Sequence, residues 1–284
     1  MTTPLPIPEA GAGYIGKALL TLTRKPAGTM PAISQRFGGL LRAEHVSAYR
    51  SAMGFDQRRE AVPMSYHYLA IQRAQVALML RRDFPFPVVG MVHVANRMMQ
   101  LGCYDLSADY ELALRVEEEP CASDGRSKAR FVCFAAEVLQ AGQVRVQCHS
   151  RYLAKRAPRQ TLAQGTRVAQ ETPAAILDWI NLDSWQLETG EGLAYARLSG
   201  DYNPIHLWDW SARLLGFKKA IIQGMHSVGR VEAALERLLG REVLQLDATF
   251  RQPILIGSRP VLRIRGAKWV VTDAAKECIT GQFA

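Results

Sequence analysis

The feature that most constrains the fold of this chain is a set of short period-two runs, closely spaced, in two separate places. From Tyr110 to Val116 the apolar set Tyr110, Leu112, Leu114 and Val116 is opposed by residues that include Glu111 and Arg115. Arg130 to Leu139, containing Phe131, Val132, Cys133, Phe134 and Ala135, is nearly all apolar, as a strand covered on both faces should be. Val144, Val146 and Cys148 then alternate with Arg145, Gln147 and His149. Successive side chains of a strand point to opposite faces. Three such runs joined at the turn signals Asp124-Gly125 and Gly142 therefore predict an antiparallel meander. The pattern returns at Leu244 to Phe250, at Pro260 to Val271 and at Glu277 to Phe283.

A helix is expected ahead of each meander. Downstream, Met225 to Leu239 places Val228, Val231, Leu235 and Leu238 at spacings of three and four, and Gly240 stands where a C-terminal cap belongs. Upstream, Met91 to Leu101 has few breakers and follows Phe84-Pro85-Phe86-Pro87, which predicts the matching helix there. Helix then meander, twice, is an α+β architecture, in which one long helix buries its face against a curved antiparallel sheet. The passage from Ala154 to Pro173 has no apolar period and carries prolines near both ends, so it reads as a linker. The expected division is residues 1–157, a linker at 158–173, and residues 174–284.

Composition narrows the setting. With 48% hydrophobic and 21% charged residues, the 284-residue chain is not disordered and can bury a full core. No apolar run approaches the ~18 residues of a membrane span, and Met1-Thr2-Thr3-Pro4-Leu5-Pro6 shows no secretory pattern, so a cytoplasmic protein is expected. Cys103, Cys121, Cys133, Cys148 and Cys278 have no metal-clip spacing and are expected as buried thiols. The net charge of +9 favours acidic partners, but no long Lys/Arg run points to nucleic acid. A phosphate-bearing cofactor or an acidic carrier protein satisfies the same arithmetic.

The chemistry concentrates in Tyr195-Ala196-Arg197-Leu198-Ser199-Gly200-Asp201-Tyr202-Asn203-Pro204-Ile205-His206. Asn203 is a good N-cap and Pro204 a good first helical residue, so a helical turn is expected to begin there. That bend lets Asp201, just before the cap, and His206, one turn in, face a common space and bracket one water as an acid/base pair. On the residues alone, ordinary turn and capping chemistry explains the same stretch. A calcium loop is excluded, because the remaining oxygen ligands are missing.

The stretch from Leu198 to His206 resembles the hydratase-2 signature of the MaoC-like acyl-thioester hydratases and dehydratases. Tyr195, Ala212 and Gly216-Phe217 fall at the positions the resemblance requires, over about thirty residues. Where that family has Ile-x-His-Gly-Met ahead of its central helix, this chain has Ile221-Ile222-Gln223-Gly224-Met225, a departure at Gln223. Phe84 to Asn96 looks like the first half of double-hotdog members, without a second Asp-x-Asn-Pro-x-His. The resemblance implies a double hotdog with a degenerate N-terminal half, which helps to shape the acyl tunnel, and a catalytic C-terminal half.

It further implies (3R)-specific hydration of trans-2-enoyl thioesters of coenzyme A or acyl carrier protein, or the reverse dehydration, within fatty-acid metabolism. Asp201 and His206 would be catalytic and the backbone N–H of Gly224 would hold the thioester oxygen, with Ser199, Gly200, Asn203, Pro204 and Gln223 in support. No metal and no organic cofactor is implied. A Ser found further along the helix of single-hotdog hydratases is matched by Glu232 or its neighbours, with Ser227 one turn earlier. Lys218 and Lys219 are candidates for the phosphates of coenzyme A, or solvated loop charges. His93 reads as a core or interface histidine. Two fused hotdogs supply internally the pairing that single hotdogs obtain by dimerising, and a homodimer of the whole chain stays open. The alternative is an acyl-thioester-binding protein whose catalysis is impaired at Gln223.

Overall fold

Both meanders form as expected; the helix of the N-terminal half does not. The computed structural model of the chain describes residues 4–9, 13–24, 32–119, 130–155 and 179–284. In chain order the first half contains β1 (Leu5–Pro6), α1 (Gly13–Leu20), β2 (Ile33–Gly39), α2 (Ala43–Met53), α3 (Met64–Met79), β3 (Val92–Gln100), β4 (Tyr110–Glu119), β5 (Arg130–Gln140) and β6 (Gln143–Lys155). The second contains β7 (Ile180–Ser184), α4 (Glu191–Ser199), α5 (Asp209–Leu214), α6 (Gly224–Leu239), β8 (Gln245–Phe250), β9 (Val261–Arg265), β10 (Lys268–Asp273) and β11 (Lys276–Phe283).

Among the described residues the strands form one sheet, in the order β1-β2-β4-β5-β6-β3-β8-β11-β10-β9-β7. The order is the same on both sides of the joint: β2-β4-β5-β6-β3 in one half and β7-β9-β10-β11-β8 in the other. The central helices α3 and α6 are each 16 residues long and each precedes its meander. This is the double hotdog expected of the chain, two curved antiparallel sheets fused edge to edge. At the joint, Asn96 pairs with Ala248, Arg97 with Asp247 and Met98 with Leu246, and Arg97 Nε stands 3.3 Å from Asp247 Oδ1.

The helix expected over Met91 to Leu101 is instead β3. Its backbone is satisfied on both edges, by β6 and by β8, and Asn96 and Met98 point inward while Arg97 is exposed. Two neighbouring ladders override the helix-favouring residues Ala95, Met98 and Met99. The true helix, α3, buries twelve of its sixteen residues, so no polar face announced it. Of the downstream helix residues, Val228, Val231 and Leu235 are buried as expected, but Leu238 is half-exposed. The run from Pro260 to Val271 divides into the hairpin β9–β10 around Gly266, and Ala141 and Gly142 both take positive φ in the β5–β6 turn.

Cys148 and Cys278 are buried thiols as expected, whereas Cys103 is exposed, because it lies in the loop just after β3 rather than inside a helix. Cys121, the Asp124-Gly125 turn and the expected linker at 158–173 lie outside the described residues. Among the described residues no helix is long and apolar enough to cross a membrane.

One contact ties the halves in the interior. The Glu232 carboxylate, on α6, accepts the Met64 N–H at 2.7 Å and the Ser65 N–H at 2.9 Å, so it caps the N-terminus of α3. The first N–H groups of a helix have no partner inside it, and a carboxylate there also meets the positive end of the dipole. Burial raises the Glu232 pKa, with those N–H groups opposing the shift.

Candidate active site

The Asp201 loop is built by short polar side chains turned back on their own backbone. Gly200, at φ 83°, ends α4 by donating its N–H to Ala196 O at 2.8 Å. Ser199 Oγ donates to Tyr195 O at 2.8 Å and accepts the Asp201 N–H at 3.1 Å. Asp201 Oδ1 accepts the Asn203 N–H at 3.2 Å, and Asn203 Oδ1 accepts the Ile205 N–H at 3.4 Å. Asn203 thereby caps a single 3₁₀ turn, Pro204–His206, with the proline in its first position.

This turn leaves Asp201 Oδ2 and His206 Nε2 facing each other at 3.8 Å. The side chains are 18% and 10% exposed, so the pair is nearly buried yet open to solvent on one side. His206 Nδ1 lies 2.8 Å from Ile221 O. A carbonyl can only accept, so Nδ1 holds the proton and Nε2 presents its lone pair toward Asp201. Burial lowers the His206 pKa, against the raising effects of Asp201 and of the Ile221 carbonyl, which keeps the ring neutral.

Next to this loop begins α6. Gln223, its cap residue, donates from Nε2 to Gly192 O at 3.0 Å and to Asp201 O at 3.4 Å. The glutamine therefore fastens the Asp201 loop to α4. Gly224 is the first residue of α6, in the turn whose N–H groups have no intrahelical acceptor. Its missing side chain is required by packing: a Cβ there would stand 2.6 Å from Phe250 Cε1.

Gly192, which the sequence reading passed over, is required more strictly. A Cβ at that position would lie 1.9 Å from the His206 carbonyl oxygen. No local signal marks it, since the approach joins α4 to a turn fourteen residues downstream. Glu232 is not in this site, being committed to α3, while Lys218 and Lys219 are exposed in the loop ahead of α6.

Around the first turn of α6, several buried polar atoms have no hydrogen-bond partner among the described residues: Tyr195 Oη, Gln223 Oε1 and Ser227 Oγ. Each of these atoms is left to a partner from outside the described residues, water included. Tyr195 also packs edge-on to His226 at 5.3 Å, and His226 Nε2 stands 3.3 Å from Glu191 Oε1. The N-terminal half reaches this region too. The Tyr68 and Tyr152 phenols are pushed up chiefly by burial and further by the charge of Asp201. His93 sits at the joint between Tyr68, Tyr152 and Phe250, the interface position expected for it. No group of three or more His, Cys, Asp or Glu among the described residues is arranged to hold a metal ion.

Residues 168–278 match the family model of the MaoC like domain. The chain is 23% identical over 218 residues to 3-hydroxyacyl-thioester dehydratase X of Mycobacterium tuberculosis, across 75% of this chain and 72% of that protein. Its structure is similar to the crystal structure of HtdX of Mycobacterium tuberculosis, with a TM-score of 0.69 at 19% identity over 89% of this chain and 99% of that one. A second Mycobacterium tuberculosis structure, described as a double hotdog fold, gives a TM-score of 0.60 at 12% identity, over 90% and 96% of the two chains. At these identities the structural likeness establishes the fold, and the segment matched by the family model includes Asp201, His206 and Gly224. The chain thus has the double-hotdog fold, and its residues 168–278 match the MaoC like domain.

Proposed function

We propose that the chain hydrates trans-2-enoyl thioesters to (3R)-3-hydroxyacyl thioesters, and catalyses the reverse dehydration, on thioesters of coenzyme A or acyl carrier protein. The observation that carries this reading is the 3.8 Å gap between Asp201 Oδ2 and a lone-pair-bearing His206 Nε2. The gap is too wide for a direct hydrogen bond, yet one oxygen can stand ~2.8 Å from both atoms at once. The name of the Mycobacterium tuberculosis relative, a 3-hydroxyacyl-thioester dehydratase, supports the same chemistry.

In the hydrating direction a water held in that gap attacks C3 of the enoyl group. Asp201 and His206 together accept its proton and deliver a proton to C2, so the elements of water add across the double bond and nothing is oxidised or reduced. Charge develops on the thioester oxygen as C3 is attacked. The N–H of Gly224 receives it, at a helix end where unpaired donors and the dipole favour a negative oxygen. Gln223 keeps the loop in register by holding Asp201 O and Gly192 O, which replaces a loop-holding role for the histidine common in the family. No metal or organic cofactor is called on, because the thioester itself makes the C2 proton acidic. The exposed Lys218 and Lys219 suit the phosphates of the carrier.

Absorbance loss of trans-2-enoyl-CoA substrates of short to long chain, with chiral analysis of the product, tests the proposal. Asp201→Asn and His206→Ala are expected to lower kcat by roughly 10²–10⁴-fold, the contribution of a positioned acid/base, with the thermal midpoint little changed. If no enoyl-CoA and no enoyl carrier thioester is hydrated, the enzyme reading is wrong. Acyl-CoA binding indifferent to Asp201, without turnover, would instead establish a thioester-binding protein impaired at Gln223.

A further inference from the structure

The N-terminal half has no acid/base motif of its own, yet it brings a connected polar cluster to the joint. His93, on β3, stacks on Tyr68 of α3 at 5.7 Å with 3° between the rings, and on Tyr152 of β6 at 4.6 Å with 14°. On another side its ring meets Phe250 at 4.9 Å, and Phe250 is the side chain that fills the space beside Gly224. The cluster is therefore one ring away from the start of α6.

The protons of this cluster can be counted. Gln75 Nε2 donates to Ser150 Oγ at 2.9 Å, which leaves Gln75 Oε1 to accept the Tyr152 hydroxyl proton at 2.9 Å. With its one proton committed, Tyr152 Oη accepts from Tyr68 Oη across 3.1 Å. Tyr68 has then used its own proton, so in the 3.3 Å contact with His93 Nδ1 the imidazole is the donor. His93 thus bears its hydrogen on Nδ1 and presents a bare lone pair at Nε2. That atom is buried and has no partner among the described residues. Burial pushes the His93 pKa down to about 3, against the raising effect of a hydrogen bond to the Ala95 backbone, so the ring does not satisfy Nε2 by protonation. A buried acceptor left unpaired destabilises the fold until some donor reaches it.

We infer that His93 Nε2 positions the substrate by accepting a hydrogen bond from an N–H or O–H donor of the acyl thioester bound at the Asp201–His206 site. This inference rests on the thioester reading above. A plain hydrocarbon tail offers no such donor. The two sources of that chemistry are the amide N–H in the carrier arm nearest the thioester sulfur and a hydroxyl on the acyl group itself. In either case a side chain of the non-catalytic half contributes to substrate selection.

His93→Phe keeps an aromatic ring in the stack and removes the acceptor, whereas His93→Gln restores an acceptor near the position of Nε2. Four readouts apply: the Kd of the unreactive butyryl-CoA by calorimetry, kcat and KM for crotonyl-CoA, KM for an S-ethyl crotonate thioester, which lacks the amide, and KM for 6-hydroxy-2-hexenoyl-CoA. Circular dichroism and the thermal midpoint verify that each variant folds. With the amide as donor, His93→Phe raises the butyryl-CoA Kd and the crotonyl-CoA KM about tenfold, the scale of one hydrogen bond, at little cost in kcat. His93→Gln then recovers most of the loss, and the S-ethyl thioester is indifferent to the substitution. With an acyl hydroxyl as donor, butyryl-CoA and crotonyl-CoA are indifferent, and only 6-hydroxy-2-hexenoyl-CoA loses affinity.

A His93→Phe protein matching wild type on every probe, or a His93→Gln protein no better than His93→Phe, overturns the inference. Wild-type protein that binds butyryl-CoA with this His93 dependence but hydrates nothing refutes the enzyme reading alone. Wild-type protein that binds no thioester refutes both.

Discussion

Because the Nδ1–H of His206 donates to the Ile221 carbonyl, only Nε2 is left with a lone pair, and under the proposed function burial sets the pH range over which it acts as a base. The ordinary histidine pKa is about 6.5, and the pKa here is lowered, so the base form persists below that pH. We expect kcat/KM for hydration to stay level as pH falls from 8 through 6.5 and to drop only at lower pH. An acid limb with its midpoint above 6.5 in a pH–rate profile would contradict the burial argument. At this scale much of the site was legible, because Ser199, Gly200, Asp201, Asn203, Pro204 and His206 act through hydrogen bonds only a few residues apart. The role of Gln223 was not, since its partners Gly192 and Asp201 lie 31 and 22 residues away. Tyr68, Tyr152 and the lone pair of His93 were hidden for the same reason.

Among the elements, α3 and α6 carry the asymmetry between the halves. They occupy equivalent places in the repeated topology, but a carboxylate from α6 fills the N-terminus of α3, while the N-terminus of α6 begins with Gly224 beside the Asp201 loop. A helix end already holding Glu232 cannot also hold a thioester oxygen, so under the proposed function only the α6 end is open to substrate. Glu232→Ala leaves two buried N–H groups unpaired. It is expected to lower the unfolding free energy by about 2–4 kcal/mol, and Glu232→Gln, which keeps one acceptor, by less. Urea denaturation measures both, and an unchanged midpoint for Glu232→Ala would show that water replaces the carboxylate without loss. The strands β4, β6 and β8 were readable because one face of each is buried and the other is not. The helix α3, apolar on most sides, gave periodicity nothing to detect, and its place was wrongly assigned to β3.

For the whole molecule, the β3–β8 ladder makes one sheet of two hotdogs and sets His93, stacked with Tyr68 and Tyr152, against Phe250, the ring beside Gly224. Residues 179–284 expressed alone would bare the β8 edge, from Gln245 to Phe250, and leave Glu232 buried without the N–H groups it caps. Unpaired strand edges recruit other strands, so this fragment is expected to associate or aggregate rather than remain monomeric. Light scattering after size exclusion checks it, and a stable monomeric fragment would mean that the joint is dispensable.

By itself the sequence determined the α+β class, the two meanders, the helix at α6 and the turn that brings Asp201 to His206, because each depends on side-chain alternation or on bonds within about one helical turn. Only the tertiary structure decided that Met91 to Leu101 is a strand, that Glu232 caps a helix of the other half, and that Gly192 must lack a side chain. It also decided that His93 faces the joint with an unpaired nitrogen. Those features are contacts between residues separated by 14 to 168 positions, whose partners no local pattern names.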